Sequence, residues 1–188
     1  MENIFKISFL IMTSAWLCGC SSLDHTAHNR SIPKGESIVF GSIAISSADS
    51  RQHLQIKVTV INTRTSQTVL EHSINGPGGA FYWSLPPGQY AILDLYEHDF
   101  FNGDTSSSRI YAQFSIDAEQ TVTYVGTLAL ATSPSSLSHG SFSTSDLKSS
   151  TLSSIHVTDE FDTAVQTFHK QFTAIDITPI KKLLSLEK

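Results

Sequence analysis

"GAFYWSLPPGQYAI", residues 79–92, is the stretch whose reading decides the fold. Phe81, Trp83 and Leu85 alternate with Tyr82 and Ser84, a period of two that sets three large apolar side chains on one face of a strand. Pro86-Pro87-Gly88 then turns the chain, because proline fixes φ and donates no hydrogen bond while glycine tolerates the tight backbone. Beyond the turn, residues 89–98 form a long strand with Tyr90 and Ile92 on one side and Ala91, Leu93 and Leu95 on the other. A strand without a wet face is expected to be central and covered on both sides.

Flanking segments repeat the two-residue period. In "HLQIKVTVI", residues 53–61, Leu54, Ile56, Val58 and Val60 share one face, and Gln55, Lys57 and Thr59 share the other. Residues 37–46, 67–74, 109–116 and 120–130 supply further strands, with turn chemistry over residues 75–79. Strands at intervals of roughly ten residues, separated by turn signals, indicate a sandwich or a barrel.

The same 79–92 stretch resembles the G-x-F-x-F-x-x-L-P-P-G-x-Y signature of carboxypeptidase-regulatory-like and transthyretin-like (prealbumin) modules. That resemblance covers residues 37–130. It implies a mainly β, Greek-key sandwich of about seven strands, in which the Pro-Pro-Gly makes a tight hairpin and the tyrosine starts the next strand. It also implies a module that is not an enzyme, although fold alone is a weak guide to function.

After residue 130 the pattern changes. Residues 132–154 hold eleven serines in 23 positions, too few apolar groups for a core, and read as an insertion in the sandwich domain, which spans 37–158. Residues 159–188 read as a helical segment. Thr158 is the expected N-cap, and Phe161, Ala164, Val165, Phe168 and Phe172 form one amphipathic stripe. Packed on the sheet, this stripe would cover the second apolar face of the central strand. Thr178-Pro179 is expected to start a second short helix over "PIKKLLSLEK".

The N-terminus carries an address. Residues 7–17, "ISFLIMTSAWL", form an apolar run of eleven residues, whereas a membrane span needs about 20. A start with one lysine, a short apolar core and a small-residue end describe a secretory signal peptide over residues 1–19. Its end, Leu17-Cys18-Gly19-Cys20, resembles the lipobox of bacterial lipoproteins. That resemblance implies recognition of Leu17, Cys18 and Gly19 by the signal peptidase and a covalent diacylglycerol and N-acyl chain on Cys20. With Ser21 rather than Asp after the cysteine, it also implies sorting to the outer membrane, periplasmic side. Residues 20–36 then read as the lipidated cysteine and a flexible tether, whose His25 and His28 are solvated linker residues.

Chemistry is sparse. A C-x-C pair lacks thioredoxin spacing, and four zinc ligands cannot be assembled from two cysteines. No G-x-S-x-G elbow, phosphate loop or H-E-x-x-H motif occurs. The net charge of −5 with no basic run argues against a nucleic-acid partner. Asp94, His98 and Asp99 are the best metal candidates, and Phe100, Phe101 and Trp83 the best binding candidates. No cofactor is expected. The expectation is a membrane-anchored, non-enzymatic interaction or structural module with an envelope-protein partner. The alternatives are a glycan- or small-ligand-binding module anchored by Trp83, and a hydrolase or metalloenzyme.

Overall fold

The computed structural model describes residues 31–47, 54–76, 78–99, 105–132 and 152–187. Strand β1 spans Ser37–Ser47, β2 Leu54–Asn62, β3 Gln67–Asn75, β4 Gly78–Leu85, β5 Gly88–Asp99, β6 Thr105–Ile116, β7 Val122–Thr132 and β8 Leu152–Thr158. Helix α1 spans Phe161–Gln171, and two short strands follow, β9 at Ile180–Lys181 and β10 at Ser185–Leu186. They form a β-sandwich of two five-stranded sheets, with eight long strands where about seven were expected. One sheet runs β4-β1-β7-β8, with β9 also on β7; the other runs β10-β6-β5-β2-β3. Strand β1 is antiparallel to β4 and parallel to β7.

Phe81, Trp83 and Leu85 do point one way, into the core between the sheets, where they meet Val58, Val60, Ile92 and Phe114. The Pro86-Pro87-Gly88 turn is not a hairpin. It carries the chain from β4 in one sheet to β5 in the other. Tyr90 holds the arch closed by donating from its hydroxyl to the Pro86 carbonyl, 2.7 Å away.

The strands with side chains in both apolar layers are β1, β4 and β7, not β5. Tyr82 points away from the central core into a second apolar layer with Ile38, Phe40, Val122, Tyr124, Phe168 and Phe172. That layer is roofed by α1, so the helix covers β1, β4 and β7 rather than β5. The apparent double face of β5 is a bulge. Its ladders pair Ile92 with Val60 and Ala112, then Asp94 with Thr59 and Arg109, skipping Leu93. The side-chain alternation therefore slips by one residue, and Tyr90, Ile92 and Leu95 all enter the same core.

A second bulge serves β7. Between the Phe40↔Tyr124 and Ser42↔Thr127 pairs, β7 has one residue more than β1. Gly126 sits there at φ 95°, a left-handed conformation that L side chains rarely adopt. Across the bulge Val122 and Tyr124 face the helix layer, while Val125, Leu128 and Leu130 face the central core.

Three boundaries differ from the sequence reading. Ile32 is buried in the helix layer and Glu36 accepts a hydrogen bond from Ser84, so the packed domain starts at residues 31–32 rather than 37. Helix α1 starts at Phe161, because Thr158 ends β8 and residue 160 occupies the N-cap without a side-chain cap bond. The expected second helix is absent from residues 178–187, which are extended. Isolated short helices are marginal in water. Here the backbone gains partners on both sheets instead: Lys182 and Leu184 donate to the Tyr124 and Val125 carbonyls, and Glu187 donates to Tyr111. Of the Ser-rich insertion, Thr132 and residues 152–154 belong to β7 and β8, and the remainder lies outside the described residues.

Candidate functional site

Two polar arrangements stand out, and both lie where the C-terminal segment meets the sandwich. At the N-terminus of α1, the Glu160 N–H donates to the Tyr124 hydroxyl at 2.8 Å. The Glu160 carboxylate accepts from the Thr127 hydroxyl at 3.1 Å. Thr127 has one hydroxyl proton; spent on Glu160, it leaves the Thr127 oxygen to accept from Ser42 at 2.6 Å. This chain of two hydroxyls and a carboxylate links β1, β7 and the helix start. Burial raises the Tyr124 hydroxyl pKa, as it does for Tyr82 beneath the helix.

Beside it an open cleft of about 490 Å³ is lined by Asp159, Glu160, Phe161, Asp162, Thr163 and Lys181. Lys181 bonds Asp159 at 2.9 Å and lies over the Phe161 ring, 5.4 Å from its centre. The hydrogen bond to Lys181 holds the Asp159 carboxyl below its ordinary range, and raises Lys181 in turn.

The second arrangement is the C-terminal strap, residues 180–187. It leaves β7 as β9, crosses the lateral opening of the sandwich and joins β6 as β10. Leu184 enters the central core, and Lys182 bonds Asp117 at 2.8 Å, which lowers the Asp117 carboxyl from its ordinary range. A groove of about 260 Å³ runs between Lys182, Leu183 and Ser185 of the strap and Thr63, Gln89 and Gln113 of the body.

Of the sequence-predicted site residues, Trp83 and Asp94 have described side chains, and they lie in different sheets. Trp83 is 0 % exposed, stacked on Phe81 at 3.9 Å and edge-on to His72 at 6.3 Å. It presents no face to a ligand outside, which removes the anchor from the expected aromatic patch. Its Nε1 is buried with no hydrogen-bond partner among the described residues. Asp94 lies on the outer face of its sheet, 3.6 Å from Arg109. The side chains of His98 and Asp99, and all of Phe100 and Phe101, lie outside the described residues, as do Leu17, Cys18, Gly19 and Cys20. Among the described residues no three His, Cys, Asp or Glu side chains are grouped to hold a metal, and no helix is long and apolar enough to cross a membrane. The strap and the hydroxyl chain leave little trace in the sequence; the one signal is the spacing of Leu184 and Leu186, both turned inward, with Leu183 and Ser185 outward.

Compared with protein-family models, with curated proteins and with solved structures, the chain finds no match.

Proposed function

We propose that this chain is a lipid-anchored envelope protein. Cys20 carries the diacylglycerol and N-acyl chain, and the prealbumin-like sandwich is a non-enzymatic interaction or structural module at the periplasmic face of the outer membrane. The observation that carries this reading is the run Leu17-Cys18-Gly19-Cys20 at the end of an eleven-residue apolar stretch. One acyl chain binds a bilayer only marginally, at about 0.8 kcal/mol per buried methylene, whereas several chains on one residue hold essentially permanently.

The packed domain supports the reading in two ways. Among the described residues the first buried side chain is Ile32, and ten residues, 21–30, lie between Cys20 and the start of the described domain, a reach of at most about 35 Å. A domain so tethered works close to a membrane surface. Its two apolar layers are packed with side chains from both sheets and the helix, which suits a structural module.

Metabolic labelling with palmitate tests the anchor. Wild-type protein should incorporate label and lose its first 19 residues. Cys20→Ala should remain an unlabelled, full-length precursor. Equal labelling of that variant, or a mature terminus elsewhere by mass spectrometry, overturns the proposal.

A further inference from the structure

Only three large apolar side chains are exposed among the described residues: Tyr96, Ile180 and Leu183. Two of the three lie on the strap, Ile180 at 53 % and Leu183 at 40 % exposure. The inner side of the strap is satisfied, with Leu184 buried and the amides of Lys182, Leu184 and Glu187 bonded to carbonyls of β7 and β6. Its outer side has no such cover. Beyond Leu184, the partly buried Leu186 and those three amides, the strap is held by short ladders, two residue pairs on β7 and two on β6, by the exposed Gln113–Glu187 hydrogen bond and by two exposed ion pairs. Surface ion pairs add little, and segments with few buried contacts open locally long before a domain unfolds.

The hinge is short. Ile175 and Ile177 pack in the helix layer, leaving Thr178 and Pro179 to connect that layer to Ile180. Proline fixes its own φ and pushes the preceding residue toward an extended conformation. A short, stiff hinge before a lightly held terminal strand favours exchange of that strand between chains.

We propose that the strap is an exchange element through which two copies of this chain pair. Each strap leaves its own body at Thr178 and fills the β7–β6 opening of the partner. Every contact made within one chain is reproduced between two, so the slot needs no new chemistry. The balance is set by concentration and by cover that the second body gives to Ile180 and Leu183, which lie within five residues of the hinge and face outward in the single chain. This inference is independent of the lipid anchor, and its test runs equally in detergent and in vesicles.

Lys182–Asp117 and Lys181–Asp159 are close enough for zero-length cross-linking, and both pairs join the strap to the body. Full-length chains grown in ¹⁴N and in ¹⁵N are mixed in equal amounts, incubated, cross-linked with a carbodiimide and digested for mass spectrometry. Exchange places mixed-label peptides at both pairs, approaching about half of each in the dimer fraction, as random pairing in a two-fold dimer requires. Lys57–Glu71, at 2.6 Å within one body, must stay same-label throughout. The doubly substituted chain Ile180→Asp, Leu183→Asp should lower the mixed-label fraction at least about tenfold, since both positions face outward in the single chain. Same-label peptides alone after prolonged incubation at high concentration overturn the proposal. So do mixed labels that also appear at Lys57–Glu71, or mixing that the double substitution leaves unchanged.

Discussion

Replacing Phe168 by Ala tests whether α1 is a structural layer of the sandwich or an appendage. The ring is 0 % exposed. It stacks on Phe40 at 4.8 Å and on Phe172 at 4.9 Å, and tilts against Tyr82 at 6.3 Å. Truncating a buried Phe to Ala costs about 3–5 kcal/mol through lost transfer and the cavity left behind. Each well-placed ring pair adds about 0.5–1.5 kcal/mol beyond burial. The site lies beneath a single helix that can settle inward, so we expect about 3–4 kcal/mol, a large share of the roughly 5–15 kcal/mol that holds a domain together. Urea unfolding followed by far-ultraviolet circular dichroism measures it, with a lower midpoint and an unchanged slope expected. Phe168→Leu keeps most of the volume and should lose about 1–1.5 kcal/mol, which leaves a readable result if the alanine variant does not fold. A loss below about 1 kcal/mol for Phe168→Ala would refute the docking of α1 on β1, β4 and β7.

Gly126→Ala should destabilise by about 1–3 kcal/mol, the cost of a non-glycine residue at φ 95°, and should loosen the strap, because the added methyl meets side chains of Val157 and Leu183; faster hydrogen exchange at the Leu184 amide checks it. Tyr124→Phe removes the acceptor for the Glu160 N–H and should cost about 1 kcal/mol, read as a shift in melting temperature with the fold retained. Asp117 and Asp159 have folded pKa values below their unfolded ones, so their contribution is present above the ordinary carboxylate range and is lost as pH falls through the lowered values. Exchange at Leu184 should therefore accelerate relative to the core amides below about pH 4, and Asp117→Asn should abolish some of that difference. Trp83 fluorescence should be blue-shifted and inaccessible to iodide in the native protein, and red-shifted, quenchable emission from that residue would contradict its place in the core.

Alternation makes β1 to β7 readable because each strand buries at least one face, and burial writes a two-residue period. The α1 stripe is readable for the same reason, with Phe161, Ala164, Val165, Phe168 and Phe172 all packed in one layer. Which sheet each strand joins is not readable. Pro86-Pro87-Gly88 suits a hairpin and an arch between sheets equally, and only the pairing of β4 with β1 decides. The β5 bulge misleads in a different way: one skipped residue, Leu93, makes a one-sided strand look two-sided. The strap reads as a helix because a threonine-proline start and four residues of "KKLL" satisfy helix rules locally. Its stability comes from carbonyls of Tyr124, Val125 and Tyr111, more than fifty residues away in the chain, and no local pattern reports those. For the site, Leu17 to Cys20 speak through motif alone, whereas Trp83 is ambiguous because an indole in an alternating strand suits a core and a surface equally.

The course of residues 31–47 has a mechanical consequence. Any pull on the chain ahead of Ser31 passes through Ile32 and Glu36 directly into β1, which is bonded along its length to β4 on one side and β7 on the other. Load along a strand flanked in this way is shared by many bonds lying across the force, so they must shear together instead of unzipping singly. A domain dragged by its N-terminal leash would thus be gripped along a strand bonded on both sides, while the strap, following helix α1, would lie off the line of tension.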